Sequence, residues 1–135
     1  MSFYITTPIY YTNDKPHIGH AYTTIACDII SRFNKLNKSD VFFLTGTDEH
    51  GQKVEKAAKD AKTDPKKFVD DLSINFKKLI PYLGCEINDF IRTTEERHIK
   101  SSQAFWNKLV DNDQIYLSNY EGWYSVRDEA FYLEN

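Results

Sequence analysis

Residues 7–21 constrain the fold of this chain most strongly, because they join a strand pattern to a helix pattern through a turn. Residues 3–6 before them are aromatic or β-branched, which predicts a strand. Residues 13–16, Asn-Asp-Lys-Pro, have the composition of a turn. From Ile18 onward, apolar residues recur at helical spacing. Strand, turn and helix in this order predict an α/β fold.

The turn delivers His17, Gly19 and His20 to the first turn of the predicted helix. A helix N-terminus presents unpaired N–H groups and a positive dipole end, which favour a phosphate, and two imidazoles add donors there. Gly19 has no side chain, which leaves room for a nucleotide to approach the backbone. Asn13 in the turn is expected to order this loop or to contact the phosphates. The alternative is that the histidines only cap the helix.

The run Val-Phe-Phe-Leu at 41–44 is typical of a strand buried on both faces of a parallel sheet. We expect residues 45–51 to form a loop at the carboxyl end of this strand, the edge where open α/β sheets bind ligands. Three of the four histidines in the chain fall in this loop and the first one. Asp48 binds a ligand ammonium there or caps the next helix, and composition alone favours the cap. For His50, a structural bond and a ligand contact stay open.

Four helices are predicted, over residues 20–36, 52–61, 65–83 and 93–112, with a short strand at 90–92. The first helix has an apolar stripe that should face the core, made of Tyr22, Ile25, Ala26, Ile29, Ile30, Phe33 and Leu36. Asp64 before Pro65 and Gly84 mark the ends of the third helix. Thr93 and Glu96 suggest a capping box for the fourth. Short antiparallel strands are expected near residues 115–117, 122–126 and 131–133.

Length and composition exclude several classes of protein. The chain has 135 residues, so one domain or part of one is expected. The net charge of −3 gives no basic footprint for nucleic acid, but it does not exclude an RNA-binding enzyme whose RNA contacts lie outside this segment. Two isolated cysteines form neither a disulfide framework nor a metal motif. No apolar run is long enough to span a membrane, so we expect no membrane partner and a cytoplasmic location.

Three motifs together resemble one enzyme family. Pro16-His17-Ile18-Gly19-His20 is similar to the HIGH signature of class I aminoacyl-tRNA synthetases. The segments TPIYY at 7–11 and FLTGTDEHG at 43–51 narrow the resemblance to methionyl-tRNA synthetases. The resemblance implies the first half of a Rossmann-like doubly wound parallel sheet over residues 1–112. Residues 113–135 would then begin a β-rich inserted connective domain.

The same resemblance implies the chemistry of a methionine-tRNA ligase. Such an enzyme activates methionine with ATP, bound with Mg²⁺, to methionyl-adenylate and transfers it to tRNA(Met). The catalytic residues would be His17 and His20. The ATP-binding residues would be Asn13, His17, Gly19 and His20. The methionine-binding residues would be Pro8, Ile9, Tyr11 and Asp48, with Asp48 on the amino group.

Two further expectations concern what this segment lacks. Many family members have a zinc knuckle that begins with two cysteines, at the positions where this chain has Ser125 and Asp128. A hydroxyl cannot replace a thiolate as a zinc ligand. We therefore predict no zinc or other metal in this segment. Residues 35–39, Lys-Leu-Asn-Lys-Ser, resemble the family's lysine signature, but the helix carries Lys38 roughly 27 Å from His20. The second catalytic half is therefore missing, and the segment alone should be inactive.

Three alternatives remain open from the sequence. A small H-x-G-H nucleotidyltransferase would use the same first loop, although residues 45–51 and the tail argue against it. Another class I synthetase would share the first motif and differ around residues 8–11. A fragment that binds ATP, another ligand or a partner without catalysis is the third possibility.

Overall fold

The computed structural model describes residues 1–132, which form two compact units that divide after Glu95. The elements of the first unit are β1 (Ser2–Thr6), β2 (Tyr10–Tyr11), α1 (Ile18–Leu36), β3 (Asp40–Asp48), α2 (Gln52–Asp60), α3 (Pro65–Tyr82) and β4 (Asp89–Arg92). Those of the second unit are α4 (Glu96–Asp111), β5 (Trp123–Ser125) and β6 (Ala130–Tyr132). The predicted α/β class is confirmed.

All pairs in the first sheet are parallel, and β3 takes part in each of them. β1 and β2 lie along one edge of β3, and β4 lies along the other. Thr6 pairs with Leu44 and Tyr10 pairs with Thr47, so three residues on one side stand opposite two on the other. This bulge contains Pro8, which has no N–H to donate and therefore fits a break in the ladder.

β3 is longer than its apolar run predicted. The expected strand ended at 44 and a loop followed, but the strand continues to Asp48 and the loop is reduced to residues 49–51. Pairing with β2 and β4 extends it. Gly46 permits the close approach of β4, because a Cβ there would lie 2.0 Å from the Ile91 carbonyl oxygen. The prediction that this run is buried on both faces is wrong, since Phe42 is 45% exposed.

α1 buries the opposite face from the one predicted. Its apolar stripe is largely exposed, with Phe33 at 62%, whereas the buried residues are Thr24, Asp28 and Ser31. Polar bonds account for this orientation. Thr24 Oγ1 lies 2.8 Å from the Tyr10 hydroxyl, and Asp28 accepts a bond of 3.0 Å from the Glu86 N–H. The described residues therefore leave the hydrophobic face of α1 uncovered.

The remaining elements follow the predictions with two corrections. The Asp64 cap and the left-handed Gly84 at the end of α3 are confirmed, with Asp64 accepting the Lys67 N–H at 3.0 Å. The capping box is wrong: α4 begins at Glu96, and the Thr93 hydroxyl accepts the Glu49 N–H instead. Residues 115–117 form no strand.

The second unit ends in an antiparallel pair, β5 with β6, as predicted for residues 122–126 and 131–132. Leu133, the last residue of the predicted third strand, lies outside the described residues. The proposed start of an inserted domain at residue 113 stays a prediction.

The uncovered stripe should make this 135-residue chain self-associate. Phe33→Lys should reduce the association and leave the free energy of unfolding nearly unchanged, because Phe33 is exposed. The control Phe76→Ala, at a side chain only 1% exposed, should lower that free energy by about 3–5 kcal/mol. Analytical ultracentrifugation and denaturant unfolding measure the two effects. A wild-type chain that stays monomeric at every concentration would contradict this prediction.

Candidate active site

His17 and His20 cap the N-terminus of α1 reciprocally. The His17 Nδ1 accepts the Gly19 N–H at 3.1 Å, and the His20 Nδ1 accepts the His17 N–H at 3.0 Å. Their ring centroids are 3.9 Å apart. The backbone N–H groups of His17 and Gly19 are therefore not free for a phosphate, because the imidazoles already accept them. The capping alternative holds for both residues, whereas their role toward ATP stays a prediction.

This cap fixes the tautomer of both rings. A neutral imidazole that accepts at Nδ1 carries its proton on Nε2, so each ring retains one N–H donor. Within residues 1–132, neither Nε2 has a hydrogen-bond partner. The cap thus leaves two donors available beside each other at the start of α1.

His20 is also held by aromatic packing. Its ring lies edge-on to Tyr10 and Phe76, with centroid distances of 4.8 and 5.1 Å. Burial lowers the pKa of His20 below its ordinary value, and the neighbouring His17 lowers it further. His20 is therefore a neutral donor at pH 7. Tyr10 belongs to the core of this unit.

The structure gives a reason for glycine at position 19 that the sequence did not suggest. A Cβ at this position would lie 2.9 Å from the His17 Cε1 and 3.1 Å from its Nδ1. A larger residue would therefore displace the His17 ring from its cap. The predicted role of Gly19, to leave room for a nucleotide, is compatible with this observation and stays a prediction.

Asp48 ends β3 and pairs in register with Tyr11. It caps no helix, because the N-cap of α2 is Gly51, so that alternative is excluded. Its backbone carbonyl accepts the Thr12 N–H at 3.2 Å, which fixes the main chain. Its half-buried carboxylate makes no hydrogen bond or ion pair with any residue from 1 to 132. An unpaired carboxylate in this position can accept an ammonium group.

The other predicted site residues lie at the same end of the sheet. Pro8 and Ile9 form the bulge between β1 and β2, and both are exposed. Asn13 is exposed in the turn that leads to α1. His50 has its Nε2 3.3 Å from the Thr93 carbonyl oxygen, which is the structural bond that the sequence left open. The predicted ATP and methionine residues thus all lie at the carboxyl ends of the strands or just after them.

Sequence reasoning missed a buried ionic cluster beside Asp48. The Glu49 carboxylate, 0% exposed, accepts bonds from Arg92 Nε and Nη2 at 2.7 and 2.9 Å. It also accepts the hydroxyls of Thr47 and Thr94. Arg92 bonds to Asp70 as well, and these bonds raise the pKa of Arg92. The available indication in the sequence was a pair of opposite charges, Glu49 in the predicted loop 45–51 and Arg92 at the end of the predicted strand 90–92.

Metal-binding and membrane-spanning features are both absent from residues 1–132. No group of three His, Cys, Asp or Glu side chains is placed to hold a metal ion there. Ser125 donates its hydroxyl proton to the Asp128 carboxylate at 2.7 Å, so these two residues form a local turn contact. No helix in that range has the length and apolar character needed to cross a bilayer.

A parallel sheet with a histidine-capped helix at its carboxyl edge defines the Rossmann-like fold of class I aminoacyl-tRNA synthetases. Residues 3–135 match the family model described as tRNA synthetases class I (M), and the chain belongs to this family. Its curated relatives include the methionine–tRNA ligases of Rickettsia bellii, 61% identical over 99% of this chain, and Halalkalibacterium halodurans, 53% identical over 98%.

A solved structure of Mycobacterium tuberculosis methionyl-tRNA synthetase bound by methionyl-adenylate matches with a TM-score of 0.93 and 46% identity. The match covers 99% of this chain and 26% of that one. The chain likewise spans 26% of the Rickettsia bellii ligase and 20% of the Halalkalibacterium halodurans ligase. The predicted family and fold are confirmed.

We expect NMR of ¹⁵N-labelled imidazoles to show His17 and His20 as neutral Nε2–H tautomers at pH 7, with the pKa of His20 lowered by burial. Because folding lowers this pKa, its contribution to stability is complete above about pH 6.5 and falls as the pH drops below it. Gly19→Ala should shift the His17 signals most. An Nδ1–H tautomer at either residue would contradict the cap.

Proposed function

We propose that this chain is the N-terminal part of an enzyme that activates methionine with ATP and transfers it to tRNA(Met). The observation that carries the proposal is the pair of Nε2 atoms that the His17–His20 cap leaves without partners. The names of the relatives as methionine–tRNA ligases support it, as does the methionyl-adenylate in the Mycobacterium tuberculosis structure. The whole reaction belongs to the longer protein.

The chemistry requires positioned donors and no enzyme nucleophile. The methionine carboxylate oxygen attacks the α-phosphorus of ATP, the bond to the bridging oxygen breaks, and pyrophosphate leaves with its electron pair. Negative charge shifts onto the phosphate oxygens in the transition state. The Nε2–H groups of His17 and His20 donate to those oxygens and stabilise that charge. ATP enters as its Mg²⁺ complex, and Asn13 and Gly19 border the nucleotide.

Methionine binds on the other side of the same edge. The unpaired Asp48 carboxylate accepts the ammonium group in a charge-assisted hydrogen bond. Tyr11, which pairs with Asp48 in register, forms an aromatic wall with Pro8 and Ile9. A thioether is a weak acceptor on a flexible apolar chain, so an aromatic and aliphatic pocket suits it.

Further parts of the longer protein complete the enzyme. A lysine loop for the pyrophosphate end of ATP and the contacts to tRNA lie outside these 135 residues. Lys35 does not replace that loop, because its ammonium lies 3.8 Å from the Glu86 carboxylate, near the far end of α1. The chain alone is therefore inactive in methionine-dependent exchange of pyrophosphate into ATP, and the complete enzyme acts in the cytoplasm.

The histidine roles are tested by changes that keep the cap in the full-length enzyme. Asn at an N-cap and Gln three residues later both preserve the capping bonds. His17→Asn should therefore leave the melting temperature nearly unchanged, whereas His20→Gln should lower it because the ring contacts with Tyr10 and Phe76 are lost. Both variants should lower kcat by about 10²–10³-fold, as for loss of an oxyanion donor. Pyrophosphate exchange measures kcat and KM. A loss of thermal stability with kcat unchanged would assign both residues to the cap alone.

Asp48→Asn in the full-length enzyme should raise KM for methionine and leave KM for ATP unchanged, because only the ammonium contact is weakened. The control is Asp60→Asn, which removes an exposed carboxylate on α2. Steady-state pyrophosphate exchange, with each substrate varied in turn, gives both constants. Equal increases for the two substrates would argue against an ammonium site at Asp48.

A further inference from the structure

The side chains around Asp48 differ sharply in how well they are bonded. Glu49, the next residue, is fully buried and accepts four hydrogen bonds from three side chains. Asp48 itself makes no side-chain bond within residues 1–132. The position of the Asp48 carboxylate is therefore set by the backbone on either side of it.

Besides the bond from the Thr12 N–H to the Asp48 carbonyl, Glu49 and the end of β4 fix that backbone. The Glu49 carboxylate bonds Thr47, which precedes Asp48, and Arg92 and Thr94, which belong to the neighbouring chain segment. The Glu49 N–H donates to the Thr93 hydroxyl at 2.9 Å, and the Thr93 N–H donates to the Thr47 carbonyl at 3.2 Å. The residues on both sides of Asp48 are thus tied to the same strand end.

Strand alternation explains how a contact on one face orients a group on the other. Thr47 pairs with Arg92, so their side chains share a face of the sheet with the Glu49 carboxylate. Asp48 points to the opposite face, beside Tyr11. Anchoring Thr47 and Glu49 on the first face holds Asp48 toward the second.

We propose that Glu49 is a positioning residue for amino acid binding, which sets the direction of the Asp48 carboxylate through its bonds to Arg92, Thr47 and Thr94. This inference rests on the proposed function, since it assigns Asp48 to the ammonium of the substrate. Stability alone is a weak reason for such a cluster, because a buried ion pair is often no more stable than apolar residues of similar volume. A ligand site, in contrast, needs side chains held by bonded neighbours.

The test compares two buried carboxylates in the full-length enzyme. Glu49→Gln keeps the shape and removes the charge that holds Arg92. Asp28→Asn removes the charge of a similar carboxylate, 9% exposed and bonded to Arg32 at 2.6 Å, which lies on α1 away from Asp48. Both variants should lose thermal stability. Glu49→Gln alone should raise KM for methionine, by on the order of 10–100-fold, with KM for ATP unchanged.

Thr94→Val provides a second variant, because it deletes one donor to Glu49 and leaves the ion pair intact. It should raise KM for methionine in the same direction with a smaller loss of stability. Equal KM values for methionine in wild type, Glu49→Gln and Thr94→Val would overturn the inference. A wild-type enzyme without methionine-dependent exchange would instead overturn the proposed function, so the two failures are distinguishable.

Discussion

The pairing of β3 on both of its edges is the constraint on which the first unit depends. β1, β2 and β4 each hydrogen-bond to β3, and the described residues show no other pairing in this sheet. Since all pairs are parallel, the strands end at one edge. That edge carries the turn to His17, the Asp48 carboxylate and the Glu49 cluster. A break in β3 would therefore separate groups that are distant in sequence.

The N-terminus of α1 shows how one structural device serves two purposes. A capping box usually employs Ser or Thr with Glu or Gln, whose polar atoms are then consumed. An imidazole has a second nitrogen on the far side of its ring, so His17 and His20 can cap with Nδ1 and still offer Nε2–H. The rigidity of the cap thus extends to the two donors, and packing against Tyr10 and Phe76 holds the His20 ring as well.

The sequence predicted the order and type of most elements, although not β2, because local patterns determine them. The turn residues, the Asp64 cap and Gly84 act within a few positions of the chain. The buried face of α1 could not be predicted, because hydrophobic periodicity identifies an apolar stripe without showing what covers it. The relatives are about four to five times as long as this chain, and the additional residues in them are candidates to cover that stripe.

The residues of the site also differ in how they can be identified, some from sequence motifs and others only from contacts in the folded structure. His17, His20 and Asp48 could be proposed from motifs, whereas Glu49 and Arg92 are 43 positions apart and meet only through the β3–β4 register. The two adjacent acidic residues, Asp48 and Glu49, differ in the number of hydrogen bonds that their carboxylates accept. A carboxylate with four internal donors is already satisfied and can only hold its neighbours, while a half-buried carboxylate with none remains able to accept a cation. The distinction places Glu49 in the scaffold and supports the proposal that Asp48 meets the substrate.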